Sequence, residues 1–145
     1  MDNIIALRDD LLSGRYCHGS YHAFGMSDPK PRKIHKASVR DRVLNPAVYR
    51  VLYPLFDPVF IADSFSCRKE KGTHKAFKRF EKFGREASAN HTKTCWVLKC
   101  DIKKFFENID QRVLEDILAS YLPDKGIRWL LSEVIGSFHS HALDG

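Results

Sequence analysis

Apolar residues recur at helical spacing at the start of the chain (Ile4, Ile5, Leu7, Leu11, Leu12), and Gly14 follows as a stop, which predicts a helix over residues 3–13. The period then changes to two. Alternation through His22, Phe24 and Met26, a Ser-Asp-Pro-Lys-Pro turn, and a basic stretch from Lys33 to Ser38 predict a β-hairpin, with Pro29 and Pro31 requiring more than a two-residue tip. Helical spacing returns in Val43, Leu44, Ala47, Val48, Val51, Leu52 and Leu55, and Pro46 places the expected start of that helix near itself. Residues 57–72 lack periodicity and close on Gly72. Thr73 is then the expected cap of a helix whose Ala76, Phe77, Phe80 and Phe83 form a core stripe.

A polar loop over residues 84–93 leads to Cys95–Asp101, where Trp96, Leu98 and Cys100 alternate with Val97, Lys99 and Asp101 as in a strand. Asp110 is the expected cap of a helix carrying Val113, Leu114, Ile117, Leu118 and Tyr121 and ending at Pro123, and a last helix is expected over residues 124–138. Helices and strands mix without a regular βαβ alternation. The expected class is α+β.

At 145 residues the chain matches one domain or part of a larger protein. It has no apolar run of the roughly 18 residues a membrane span requires. Its first ten residues lack the basic start and long apolar stretch of a secretory signal, so a cytoplasmic location with free thiols is expected. A zinc site on His91, Cys95 and Cys100 is disfavoured, because residues five apart on a strand point to opposite faces. The net charge of +6 is concentrated between Lys30 and Arg50 and between Arg68 and Arg85. These blocks fit either a polyanion track or a solvated surface.

Three stretches now matter together. "DPKPRKIHKASVRDRVLNPAVYRVLYPLF" is a basic hairpin followed by Asp-Arg and a helix. "FIADSFSCRKEKGTHKAF" runs from a Ser-aromatic-x-x-Arg segment to a glycine and a helix. "WVLKCDIKKFFENID" ends a hydrophobic strand in an acid and continues with two lysines and two phenylalanines. In this order and spacing they resemble the first fingers motif, the second fingers motif and the first palm motif of bacterial reverse transcriptases, the kind encoded by group II introns, retrons and diversity-generating retroelements. The wording is nearest the last of these. Phe65 stands where that family more often has tyrosine, and Glu70 where a small residue is common.

The resemblance implies the fingers of a right-hand polymerase over residues 1–92 and the beginning of its palm over residues 93–145. It implies an RNA-directed DNA polymerase that takes an RNA template, a DNA primer and a deoxynucleoside triphosphate. Its catalytic carboxylate would be Asp101, holding Mg2+ with the Ile102 carbonyl as a backbone ligand, because magnesium takes oxygen donors and phosphoryl transfer uses two such ions. Phe106 would sit under the nucleotide sugar and leave no room for a 2′ hydroxyl, with Phe105 beside it turned toward the core. Lys103 and Lys104 are either phosphate-neutralising or solvated.

Arg32, Arg40 and Arg42 are candidates for the triphosphate, since guanidinium donors match phosphate oxygens, with one of them expected to pair structurally with Asp41 or Asp57. Arg68, Lys69 and Lys71 are candidates for template-backbone contact. The aromatic-x-Asp-Asp turn that supplies the family's other carboxylates is absent after Asp110, as are its Gly-rich palm motif and thumb. The sequence therefore reads as fingers and opening palm, inactive alone, with self-association through the open palm edge as a further expectation. The alternative is a non-catalytic remnant that clamps nucleic acid.

Overall fold

A computed structural model describes residues 2–27 and 29–138. In order, its elements are α1 (Asp2–Leu12), β1 (His22–Ser27), β2 (Pro31–Lys36), α2 (Val39–Phe56), α3 (Thr73–Ala87), α4 (Gln111–Tyr121) and α5 (Lys125–Gly136), with 3₁₀ turns at Asp57–Val59 and Phe105–Glu107. The mixture is α+β, and the sheet among the described residues is one antiparallel pair, β1 with β2. No described helix is long and apolar enough to cross a membrane. The chain forms two compact units, residues 1–50 with 104–145, and residues 51–103.

The first unit holds the hydrophobic core. Leu7, Tyr16, Leu44 and Leu130 are buried together, and Leu11, Val48, Ile127 and Trp129 pack around them. α1 stops where Gly14 takes a left-handed φ of 65°, which lets the Arg15 N–H return to the Asp10 carbonyl. Asp124 caps α5 by accepting from the Ile127 N–H, and Asp110 caps α4 by accepting from Arg112 and Val113. Gln111 then ties α4 to the end of α5, donating to the Ile135 and Phe138 carbonyls at 3.0 and 2.7 Å. Phe138 meets the rings of Tyr21 and His35 edge-on.

β2 starts at Pro31 rather than Lys33. With Ser27 opposite Pro31, the hairpin turns in three residues, and proline is accepted because it opens the strand. α2 starts at Val39 rather than near Pro46, which falls inside the helix. The Ser38–Asp41 pair sets that start. The Ser38 Oγ accepts from the Asp41 N–H at 3.2 Å and donates to the Asp41 carboxylate at 2.6 Å, a cap strong enough to launch the helix a full two turns before the proline.

Asp41 is 1% exposed and the junction of the unit. Its carboxylate accepts from the Tyr16 hydroxyl at 2.7 Å, from Ser38 and from the Gly19 N–H at 3.2 Å. A Cβ at position 19 would lie 3.0 Å from the Asp41 oxygen, so the close approach favours glycine. Burial works to raise the Asp41 pKa, but Ser38, Tyr16, nearby His18 and the Gly19 N–H together bring it below 3.8. Burial, and then the bond to Asp41, holds the Tyr16 hydroxyl above its ordinary pKa.

The second unit is different in kind: no hydrophobic side chain among its described residues is buried. Thr73 is the first residue of α3, not its cap; Gly72 holds the cap position at φ 104° with no side-chain bond. The expected core stripe of α3 is solvent-exposed, Phe77 by 67% and Phe80 by 56%. Periodicity correctly gave an amphipathic helix, but nothing described within this unit covers its apolar face. The strand expected at Cys95–Asp101 is also absent; these residues have no regular secondary structure. A strand is stabilised by a ladder with a neighbour, and no described segment supplies one.

The buried carboxylate generates the first prediction. Asp41→Asn keeps the shape but turns one acceptor into a donor facing donors, and should cost about 3 kcal/mol at neutral pH. The folded-state pKa of Asp41 is depressed, so its stabilisation is present above the unfolded value and disappears as pH falls through the folded one. Thermal unfolding of the two proteins should therefore differ most near neutrality and converge as pH falls through and below the ordinary carboxylate range. A constant difference across that range would remove Asp41 from the acid response.

Candidate functional site

In the first unit, Arg32 lies on β2 opposite Met26, and Phe24 lies opposite Ile34. Strand alternation therefore puts Arg32, Ile34 and Lys36 on the same face as His22, Phe24 and Met26. His22 and Phe24 stack at 6.3 Å between ring centres, while Phe24 and Met26 are exposed. Arg32 and Lys36 are exposed as well, with no side-chain partner among the described residues. An aromatic and thioether surface flanked by free cations suits a nucleobase with its phosphate. Sequence reasoning took His22, Phe24 and Met26 only as a strand; the cross-strand register is what reveals their shared face with Arg32.

The three triphosphate candidates separate. Arg42 projects from α2 into solvent and, like Arg32, has no side-chain partner among the described residues. Arg40 is engaged: it forms an ion pair with Asp10 and lies over the Tyr16 ring, 5.4 Å from its centre. The expected structural pairing thus exists, but with Asp10 rather than Asp41 or Asp57. Lys104, at φ 51°, turns the chain into the 3₁₀ turn that carries Phe105 and Phe106, whose rings meet edge to face at 5.2 Å. Phe106 is 75% exposed; Phe105 is more covered but remains outside the core.

In the second unit, Arg68 builds the loop instead of facing solvent. Its Nε donates to the Asp57 carboxylate at 2.7 Å, one terminal nitrogen donates to the Ile61 and Ser64 carbonyls, and the other donates to the Asp57 carbonyl at 2.9 Å. The fork expected to contact a template phosphate is occupied within the loop, and only 10% of the side chain is exposed. The Arg68 hydrogen bond holds the Asp57 carboxyl below its ordinary pKa and the guanidinium above its own.

Lys69 and Lys71 are drawn into the same loop. The Lys69 N–H donates to the Tyr53 hydroxyl at 2.8 Å and its ammonium lies over that ring, while Lys71 donates to the Ala62 carbonyl and lies over Phe65. Glu70, between them, has a φ of 56°. Glycine is favoured at such a position because a Cβ there costs about 1–2 kcal/mol. Arg79 completes the framework by pairing with Asp63, whose carboxyl it holds below the ordinary pKa.

Asp101 is exposed, and neither it nor Ile102 has a hydrogen bond or ion pair among the described residues. In this it differs from Asp110 and Asp124, which cap helices, and from Asp41, Asp57 and Asp63, which are held by donors. One carboxylate and one adjacent carbonyl are hard oxygen donors of the kind magnesium takes, and magnesium completes its octahedron with water and substrate phosphates. They fit as a partial ligand set. No cluster of three or more metal-binding side chains occurs among the described residues. Cys17, Cys67, Cys95 and Cys100 are not disulfide-bonded, and since residues 95–101 are not a strand, the face geometry weighed against zinc does not apply here.

No family model matches the chain. Protein YkfC of Escherichia coli (strain K12) is 25% identical to it over 135 residues, which is 92% of this chain and 35% of that protein. The chain therefore spans about a third of the length of the relative it matches.

Proposed function

We propose that the chain is the fingers and opening palm of an RNA-directed DNA polymerase, binding primer-template and an incoming nucleotide. The observation that carries this reading is the free hairpin face, where Arg32 and Lys36 stand beside Phe24 and Met26 with no competing partner among the described residues. Such a face binds nucleotides by stacking on the bases and neutralising phosphates. Support for polymerase chemistry comes from the ordered motifs, with Asp101 as the metal carboxylate and Phe106 as the ring against the sugar.

In this reading a magnesium ion supplies charge stabilisation for the oxygens of nucleotidyl transfer. Asp101 and the Ile102 carbonyl would hold it, Arg32 and Arg42 would bind nucleotide phosphates, and Phe106 would exclude a 2′ hydroxyl by clash. Arg40 and Arg68 act at one remove, through the fold. The chain's single candidate carboxylate cannot anchor two ions, so alone it does not extend a primer.

Binding by the 145-residue chain to single-stranded RNA should fall steeply with salt, by about −0.7 in log affinity per log salt for each phosphate neutralised. Arg32→Gln should reduce that slope, and Phe24→Ala should weaken affinity by about 1–3 kcal/mol. Fluorescence titration at several salt concentrations reads both. Affinity indifferent to salt and to these substitutions would remove the nucleic-acid reading.

Chemistry is tested separately, in a polypeptide that joins this chain to a palm bearing further carboxylates. There Asp101→Asn should lower primer extension by about three orders of magnitude or more while leaving duplex binding unchanged, as expected for a lost metal ligand. Loss of folding and binding with synthesis per folded molecule retained would make Asp101 a structural acid. Intact binding with no Asp101-dependent synthesis would favour a nucleic-acid clamp without chemistry.

A further inference from the structure

α4 and α5 border a cleft of about 400 Å³, within the range of small-molecule sites. Its two walls carry opposite charge. Glu115 and Asp116 line it from α4, while Lys125 and Arg128 line it from α5, one turn apart on the same helix face. The walls nevertheless do not pair. The Glu115 carboxylate accepts from the Ser132 hydroxyl at 2.6 Å, a bond that links the two helices, whereas Asp116, Lys125 and Arg128 have no side-chain partner among the described residues. Arg128 is the most exacting of the three, because its Nε–H is buried without an acceptor. A buried donor on a charged group is costly to leave unmade, so an acceptor brought into the cleft gains what the fold leaves unused.

We infer that the cleft binds a small zwitterion of the amino-acid type, with its carboxylate on Arg128 and Lys125, its ammonium on Asp116 and an aliphatic side chain on Leu118, Leu131 and Ile135. The charge balance selects this class. Two cations face two acids, so the cleft is neutral as a whole, and a polyanion such as a nucleic-acid backbone meets as much repulsion as attraction. A ligand that carries both charges gains from both walls, and guanidinium donors match the two oxygens of a carboxylate. The leucines and the isoleucine then offer the rest of the ligand an apolar surface beside those charges. This site uses neither the hairpin face nor Asp101, so it holds or fails independently of the polymerase reading.

Trp129 lines the cleft and Trp96 does not, so in a Trp96→Phe chain the remaining indole reports on it. Titration with L-leucine should change its emission saturably, with heat released or absorbed in parallel calorimetry. N-acetyl-leucine, which lacks the ammonium, and leucinamide, which lacks the carboxylate, should each bind about tenfold more weakly or worse. Arg128→Gln should weaken leucine by a similar factor, and Asp116→Asn should abolish the preference for leucine over N-acetyl-leucine. Asp116 and Lys125 are exposed, so if Arg128→Gln prevents folding, Asp116→Asn and Lys125→Gln carry the test. N-acetyl-leucine binding as well as leucine would make this an anion site, and leucinamide doing so would make it a cation site; either result overturns the proposal. So does the absence of saturable binding by both methods, or leucine binding that survives Asp116→Asn and Lys125→Gln unchanged.

Discussion

The first unit depends on placing one negative charge out of water. A carboxylate with the exposure of Asp41 is costly unless its oxygens are filled, and three donors from separate parts of the chain fill them: the Tyr16 hydroxyl, the Gly19 N–H and the Ser38 hydroxyl. Each bond has a second consequence. Ser38 starts α2, Gly19 brings the connector against that helix, and Tyr16 is set among Leu7, Leu44 and Leu130. Arg40, one residue before the carboxylate, then lies over the Tyr16 ring and reaches Asp10 on α1. A polar junction thereby fixes how the core's helices meet, while burial of leucines, worth roughly 1.5–3 kcal/mol each, supplies much of the driving force.

The second unit inverts that arrangement. It buries no hydrophobic side chain among its described residues, so the order of residues 57–72 rests on directional bonds around Arg68. A guanidinium suits this role because its five donors leave in a fixed plane and can satisfy several loop carbonyls at once. Left-handed residues Cys67 and Glu70 bend the chain around it. The same geometry explains why the Ser-aromatic-x-x-Arg segment leads to a glycine: the turn closes from the Gly72 N–H to the Phe65 carbonyl, and only glycine enters α3 at φ 104° without strain.

Periodicity made α1, α4 and α5 legible to within a residue or two, because a helix facing a core repeats its own geometry in sequence. It failed where structure depends on a partner. Cys95–Asp101 has the alternation of a strand, but alternation only prepares a segment for a ladder. The Phe77, Phe80 and Phe83 spacing announces an apolar face without saying what covers it. The start of α2 was available in the Ser38-x-x-Asp41 cap, and Pro46 obscured it by satisfying a weaker rule. At the site, residue type marked the arginines and the aspartate as candidates. It could not sort the arginines, since Asp10 lies thirty residues from Arg40 and Asp57 eleven from Arg68.

That sorting changes what the positive charge can do. Arg40, Arg68, Arg79 and Arg85 all pair with acids, and Lys69 and Lys71 are bound into the loop, so the two basic blocks overstate the charge offered to a partner. Arg32, Lys36, Arg42, Lys75 and Lys78 remain exposed and without side-chain partners among the described residues. Within the two basic blocks the fold uses four of the seven guanidinium forks for itself, and the lysines that remain are compact point charges. Such charges hold a phosphate backbone without reading its sequence. Any discrimination among nucleic acids by this chain would then have to come from shape and stacking, which places the burden on the aromatic face of the hairpin rather than on the number of cations around it.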